Sequence, residues 1–218
     1  MRDRRTPRPV ERRRVDLEAR AERRAERRAA LLDAALTAVR RDGPGVSMDA
    51  IAAQAGITKP ILYKHFGDRD GLVAALADQF ADQLTTELGA ALADTEIGDR
   101  ELLRRTLDTF LGFIERDPQL YAFLVGSALS TTTGEQIAGL IPRISKLVAM
   151  VIGERLRAVG ADSAVAEPWA YALVGMGHFA GHWWLDRGTL PRQFMVDALT
   201  QLAWSGMSSA EPSERTDN

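Results

Sequence analysis

Seven side chains between positions 47 and 69 could do chemistry on a polyanion. Ser47, Thr58 and Tyr63 bring hydroxyls, Lys59, Lys64 and Arg69 bring cations, and His65 brings an imidazole. Such groups donate to phosphate oxygens and fix a protein's register without breaking a bond. Other constellations are weaker. His178 and His182 stand four apart, the spacing of a metal pair on one helical face, but no Glu follows His178 and no third ligand is near, so no metal is expected. The glycines of Gly175-Met-Gly177-His-Phe-Ala-Gly181 are wrongly spaced for a dinucleotide loop, and no strand precedes them. The chain has no cysteine, which removes thiolate nucleophiles, disulfides and sulfur-based metal sites. With no paired-carboxylate motif and no nucleophile elbow, neither an enzyme nor a cofactor is expected.

The donors need elements to hold them. Leu32, Ala35, Leu36 and Val39 follow the i, i+3, i+4, i+7 spacing of an amphipathic helix, which Gly43 and Pro44 end. Ser47 caps a short helix that has Asp49 in its first turn and Gly56 at its close. After Ile57, Thr58 is the natural cap of a second short helix, and Pro60 sits in its first turn, where a missing N–H is harmless. Two short helices joined by a glycine-containing turn behind a longer one make a helix-turn-helix over residues 47–66. Leu62 and Phe66 are its core knobs.

The rest of the chain reads as helical punctuation: Arg69 to about Ala93, Asp99 past Ile114, and Gln119–Leu129 behind Asp117-Pro118. Then come Thr133 to about Val159 with Pro142 inside, Asp162 or Ser163 to near Asp186, and Pro191 to about Gly206. No alternating β segment appears. The expected class is all-α, about nine helices, with a three-helix head and a larger helical body. The expected divisions are a flexible basic arm over 1–22, the DNA-binding head over 23–68, the body over 69–207 and a disordered tail over 208–218.

Composition agrees. Hydrophobic residues make up 45% and charged residues 27% of 218, which suits a globular protein and argues against wholesale disorder. The net charge of −2 hides an asymmetry. Residues 1–66 carry sixteen Lys and Arg against nine Asp and Glu, a local +7, and the remainder carries twelve against twenty-one, a local −9. One end is suited to a polyanion and the other is not. The uncharged run Pro168–Leu185 approaches a membrane span but holds two His and three Gly, so no insertion is expected. No apolar run follows the Arg-rich start, which makes the cytosol, at the nucleoid, the expected address.

The stretch 28–72 resembles the N-terminal DNA-binding domain of the TetR/AcrR family of regulators. The resemblance rests on the Gly43 region, Ser47-Met48-Asp49-x-Ile51-Ala52, Ala55-Gly56-Ile57, Leu62-Tyr63-x-His65-Phe66 and Arg69-Asp70-x-Leu72, with Arg69 where a Lys is usual. It implies that Thr58, Lys59, Pro60 and Ile61 open a recognition helix in the major groove of a palindromic double-stranded operator. Lys59 suits guanine O6/N7, and Pro60 and Ile61 suit a thymine methyl. Tyr63, Lys64, His65, Arg69 and Ser47 then face phosphates, and the Arg-rich arm adds salt-dependent affinity.

The resemblance also implies a homodimer packed through its two last helices, and an effector pocket in the body. For the interface the expected residues are Gly175, Gly177 and Gly181 for close approach, with Trp184, Leu199, Leu202 and Trp204 for buried area. Expected pocket residues are Phe110, Phe113, Ile114, Tyr121, Phe123, Leu124, Met150, Met176, Phe179 and Trp183, walls that suit an apolar or amphipathic effector. Phe113-Ile-Glu-Arg-Asp-Pro-x-Leu-Tyr121 and Trp184-Leu-Asp-x-Gly also look like members that sense long-chain acyl-CoA. The expected function is a repressor released from its operator by such an effector. The alternatives are an enzyme with a helical body and a non-catalytic lipid-binding or membrane-surface protein that uses the basic arm.

Overall fold

Helices form where the spacing and the caps place them. The computed structural model describes residues 9–94, 96–128 and 134–208, and among these the fold is all-α, with nine helices and no strand. They are α1 (Pro9–Asp42), α2 (Met48–Gln54), α3 (Lys59–Phe66), α4 (Arg69–Leu92) and α5 (Asp99–Arg116). The series continues with α6 (Pro118–Ala128), α7 (Gly134–Ala158), α8 (Ala166–Arg187) and α9 (Arg192–Ser208). One 3₁₀ turn, Ser163–Val165, leads into α8, its start held by Asp162 accepting from the Ala164 amide at 2.9 Å.

Met1–Leu72 and Val73–Asn218 form two compact units. In the first, α1 packs on α2 and α2 on α3. Val39, Ile51, Leu62 and Leu72 are fully enclosed there, and the Arg28 guanidinium lies over the Phe66 ring at 4.8 Å. Gly43 (φ 79°) ends α1 in the left-handed region that glycine enters freely. Where a flexible arm was expected over 1–22, α1 already runs from Pro9. The Ala, Glu and Arg that fill this stretch are strong helix formers, and they favour helix even where the face from Leu17 to Ala30 is almost wholly exposed. Residues 1–8, the capping box begun at Thr133 and the tail from 209 lie outside the described residues.

In the second unit α7 packs along α8, α5 packs on α8 and α9, and α6 packs on α5 and α7. Its core includes Leu76, Leu84, Leu111, Ile114, Phe123 and Val196. Pro142 lies inside α7. No described helix is long and apolar enough to cross a membrane, the run Pro168–Leu185 of α8 included.

Candidate nucleic-acid interface and effector cavity

The donor cluster of the head sits on one short helix and its edges. Ser47 holds extended backbone and its Oγ accepts from the Ala50 amide at 3.1 Å, the first capping bond of α2. Thr58 occupies the cap of α3, but its hydroxyl makes no capping bond. Pro60 lies in the first turn and Gly67 (φ 86°) closes the helix, accompanied by Lys64 and His65 in the last turn. Inward, Leu62 and Phe66 are buried, and outward, Thr58, Pro60, Ile61 and Lys64 are exposed, with Lys59, Tyr63 and His65 half-buried. Ile61 is an isoleucine left 41% in water at the N-terminal end of this helix. Arg69, exposed at the start of α4, reaches the Val46 carbonyl at 3.5 Å. All nine expected contact residues thus fall around α3 and the α2 and α4 starts.

One partner was not visible beforehand. Lys59 Nζ lies 3.0 Å from Asp49 Oδ2, across from α3 to the first turn of α2, and 6.0 Å from the Tyr63 ring centre. The Asp49 hydrogen bond, then its charge, holds the Lys59 ammonium above its ordinary range. The ten-residue separation carries no periodic signal, so only the fold reveals the pair.

In the body, a cavity of about 330 Å³ runs between α4 and α9 with apolar walls. Ala77, Phe80, Leu84, Leu88 and Leu92 of α4 line one side, and Ile144, Val148, Ile152 and Leu156 of α7 line another. Phe110, Tyr121 and Leu124 are present as expected. Phe113, Ile114 and Phe123 are buried in the core beside it, and Met176 is half-buried outside its walls. Met150 and Phe179 face solvent, Phe179 at 74% exposure, and Trp183 is about half exposed. The α4 and α7 liners went unread, although their four-residue stripes carried the signal.

The interface set also lies differently. Gly177 and Gly181 face inward: a Cβ at Gly181 would stand 2.8 Å from Ile114 Cδ1, and one at Gly177 3.7 Å from the Phe110 ring. Trp184 is buried, its Nε1 donating to the Leu190 carbonyl at 2.7 Å, and Leu199 is buried too. Trp204 lines the cavity. Gly175 and Leu202 remain on the outside, where Tyr171, Phe179 and Trp183 of α8 and Phe194 of α9 are the large exposed apolar groups. No metal-holding cluster of three occurs among the described residues. His178 instead puts Nδ1 2.9 Å from the Tyr121 hydroxyl, and both line the cavity. Burial pushes the Tyr121 phenol up, and burial followed by the charge of His182 pushes the His178 imidazole down, so both are neutral.

Comparison with known proteins places these features. Residues 31–76 match the model of bacterial regulatory proteins of the tetR family, and residues 87–218 match the tetracyclin repressor-like C-terminal domain. The chain belongs to the TetR family of transcriptional regulators. It is a helix-turn-helix DNA-binding protein of that family and not an enzyme. Among TetR-family relatives, an uncharacterised HTH-type transcriptional regulator of Mycobacterium tuberculosis is 30% identical over 81% of this chain and 75% of its own. The HTH-type transcriptional activator FasR of Mycolicibacterium smegmatis is 30% identical over 82% and 81%. The crystal structure of a TetR-like regulator from Rhodococcus sp. RHA1 superposes with a TM-score of 0.62, at 30% identity, over 84% of this chain and 96% of its own.

Proposed function

We propose that this TetR-family regulator acts as a homodimer on a palindromic operator, and that an apolar, chain-like effector in the body cavity releases it. The observation that carries the reading is the continuity of α4. It begins at Arg69 beside the donor cluster, and its own Phe80, Leu84, Leu88 and Leu92 form a cavity wall. A ligand that displaces this wall displaces the helix that leaves the head. Half-sites one turn apart lie ~34–36 Å centre to centre, so a change of a few ångströms between two heads ends simultaneous engagement. The switch is then a difference in effector affinity between two head spacings. Repression is the expected direction. The named activator among the relatives makes that direction the readout to score. Action on DNA would place the protein in the cytoplasm, at the nucleoid.

In the groove, Lys59, Pro60 and Ile61 meet base edges, and Ser47, Thr58, Tyr63, Lys64, His65 and Arg69 meet the backbone. Dimerisation uses the outer face of α8 and α9, where Tyr171, Gly175, Phe179 and Trp183 stand with Phe194 and Leu202. The test is titration of the full chain onto its own upstream DNA. A palindrome should be retained over scrambled DNA and over anionic vesicles, and a medium-chain amphiphile should release it. Tyr63→Ala should weaken binding to all sequences, whereas Lys59→Ala should lose about 1–3 kcal/mol of discrimination at one base pair. Vesicle binding without operator retention would favour the membrane-surface reading instead.

A further inference from the structure

The cavity walls are not uniformly apolar, and the placement of the polar groups is informative. Resting on the reading of this cavity as the effector site, we propose that its ligand is a linear aliphatic chain with an uncharged oxygen function, a hydroxyl or carbonyl, near the end remote from Val159, recognised by Tyr121 and His178.

Shape comes first. The α4 wall from Ala77 to Leu92 extends about 22 Å at 1.5 Å per residue. A volume of about 330 Å³ spread along that length is narrow, and suits a chain better than a fused ring system. The stretch from Phe80 to Leu92, about 18 Å, takes roughly fifteen bonds at the ~1.2 Å per bond of an extended backbone.

Polarity comes second. At one end Val159 is 77% exposed. There Arg155 is held by three hydrogen bonds: it donates to the Asp94 carbonyl at 3.1 Å, to the Ile97 carbonyl at 3.1 Å and to Asp99 Oδ1 at 2.9 Å. Midway, the Thr106 hydroxyl donates to the Leu102 carbonyl at 2.8 Å. At the other end the Tyr121 ring stacks beside Phe80 at 6.2 Å between ring centres. The Tyr121 hydroxyl lies 2.9 Å from His178 Nδ1 and also donates to the His178 carbonyl at 3.4 Å, which occupies its proton and one imidazole nitrogen. That leaves His178 Nε2 and a phenolic lone pair with capacity in this part of the wall. Both groups are neutral, so they suit a neutral oxygen and not a carboxylate. A plain methyl terminus would leave that capacity unmet, and a site built for a hydrogen bond discriminates strongly against an analogue lacking it.

Calorimetric titration of the delipidated full chain decides it, using tetradecanoate and 14-hydroxytetradecanoate, with the 12-carbon pair alongside. The hydroxylated chain should bind about tenfold more tightly. Tyr121→Phe and, independently, His178→Gln should bring that ratio to one or below. Two variants guard against one failing to fold. A wild-type ratio of one with the plain chain bound overturns this inference and leaves the cavity reading standing. Binding of neither chain overturns both. A preference that survives both substitutions removes Tyr121 and His178 from the role.

Discussion

In the proposed groove, Lys59 would be a base-reading cation kept ready. Its ion pair with Asp49 joins two helices, and a side chain so paired would lose less entropy on meeting a base. Asp49 would also place a negative charge beside the duplex. Asp49→Asn should therefore tighten binding to unrelated DNA several-fold and narrow the gap between operator and non-operator, measured by anisotropy at fixed salt. An unchanged ratio would reduce the pair to a surface ion pair of little consequence. Gly71 illustrates a different residue-scale demand. A Cβ there would run into the Phe66 carbonyl oxygen at the end of α3, and backbone cannot yield as a side-chain tip can. Gly71→Ala should lower stability by about 1–3 kcal/mol in thermal unfolding despite alanine's better helix propensity.

Among the elements, α8 shows most clearly what was legible and what was not. Its existence followed from composition and the cap signal at Asp162 or Ser163, but its rotation about its axis did not. The helix is apolar almost all round, so no periodic contrast says which side faces in. Sequence reasoning thus gave Gly177, Gly181 and Trp184 to the outside and Phe179 and Trp183 to the cavity, and the fold has them the other way round. The head was easier, since Ser47, Gly56, Thr58 and Pro60 are local signals whose meaning does not depend on distant packing. The cavity walls of α4 and α7 needed knowledge of which helices face one another. A paired substitution checks the rotation. Gly177→Ala meets Phe110 only at ordinary contact distance and should be neutral or stabilising by up to ~1 kcal/mol. Gly181→Val, crowding Ile114 and Phe110, should destabilise by about 1–3 kcal/mol.

For the whole molecule, the exposed aromatics of α8 and α9 set the expectation. Phe179, Trp183, Phe194 and Leu202 leave large apolar side chains in water on α8 and α9, the kind of surface that marks an interaction site. Phe179→Glu combined with Leu202→Glu should give a monomer by sedimentation, with helical content unchanged and operator affinity reduced at least a hundredfold. The body has a net negative charge and the first 66 residues a positive one, so operator binding should fall steeply with salt. Log–log slopes shallower than about −3 would mean that few phosphates are neutralised.

The exposed stretch of α1 from Leu17 to Ala30 has almost no neighbouring surface to rest on. A helical segment held by intrinsic propensity alone is marginal in water and opens readily. Its amides should exchange with deuterium far sooner than those around Val39. A polyanion laid along its arginines would slow that exchange, turning a frayed lever into a stiff one and coupling the order of residues 17–30 to occupancy of the duplex.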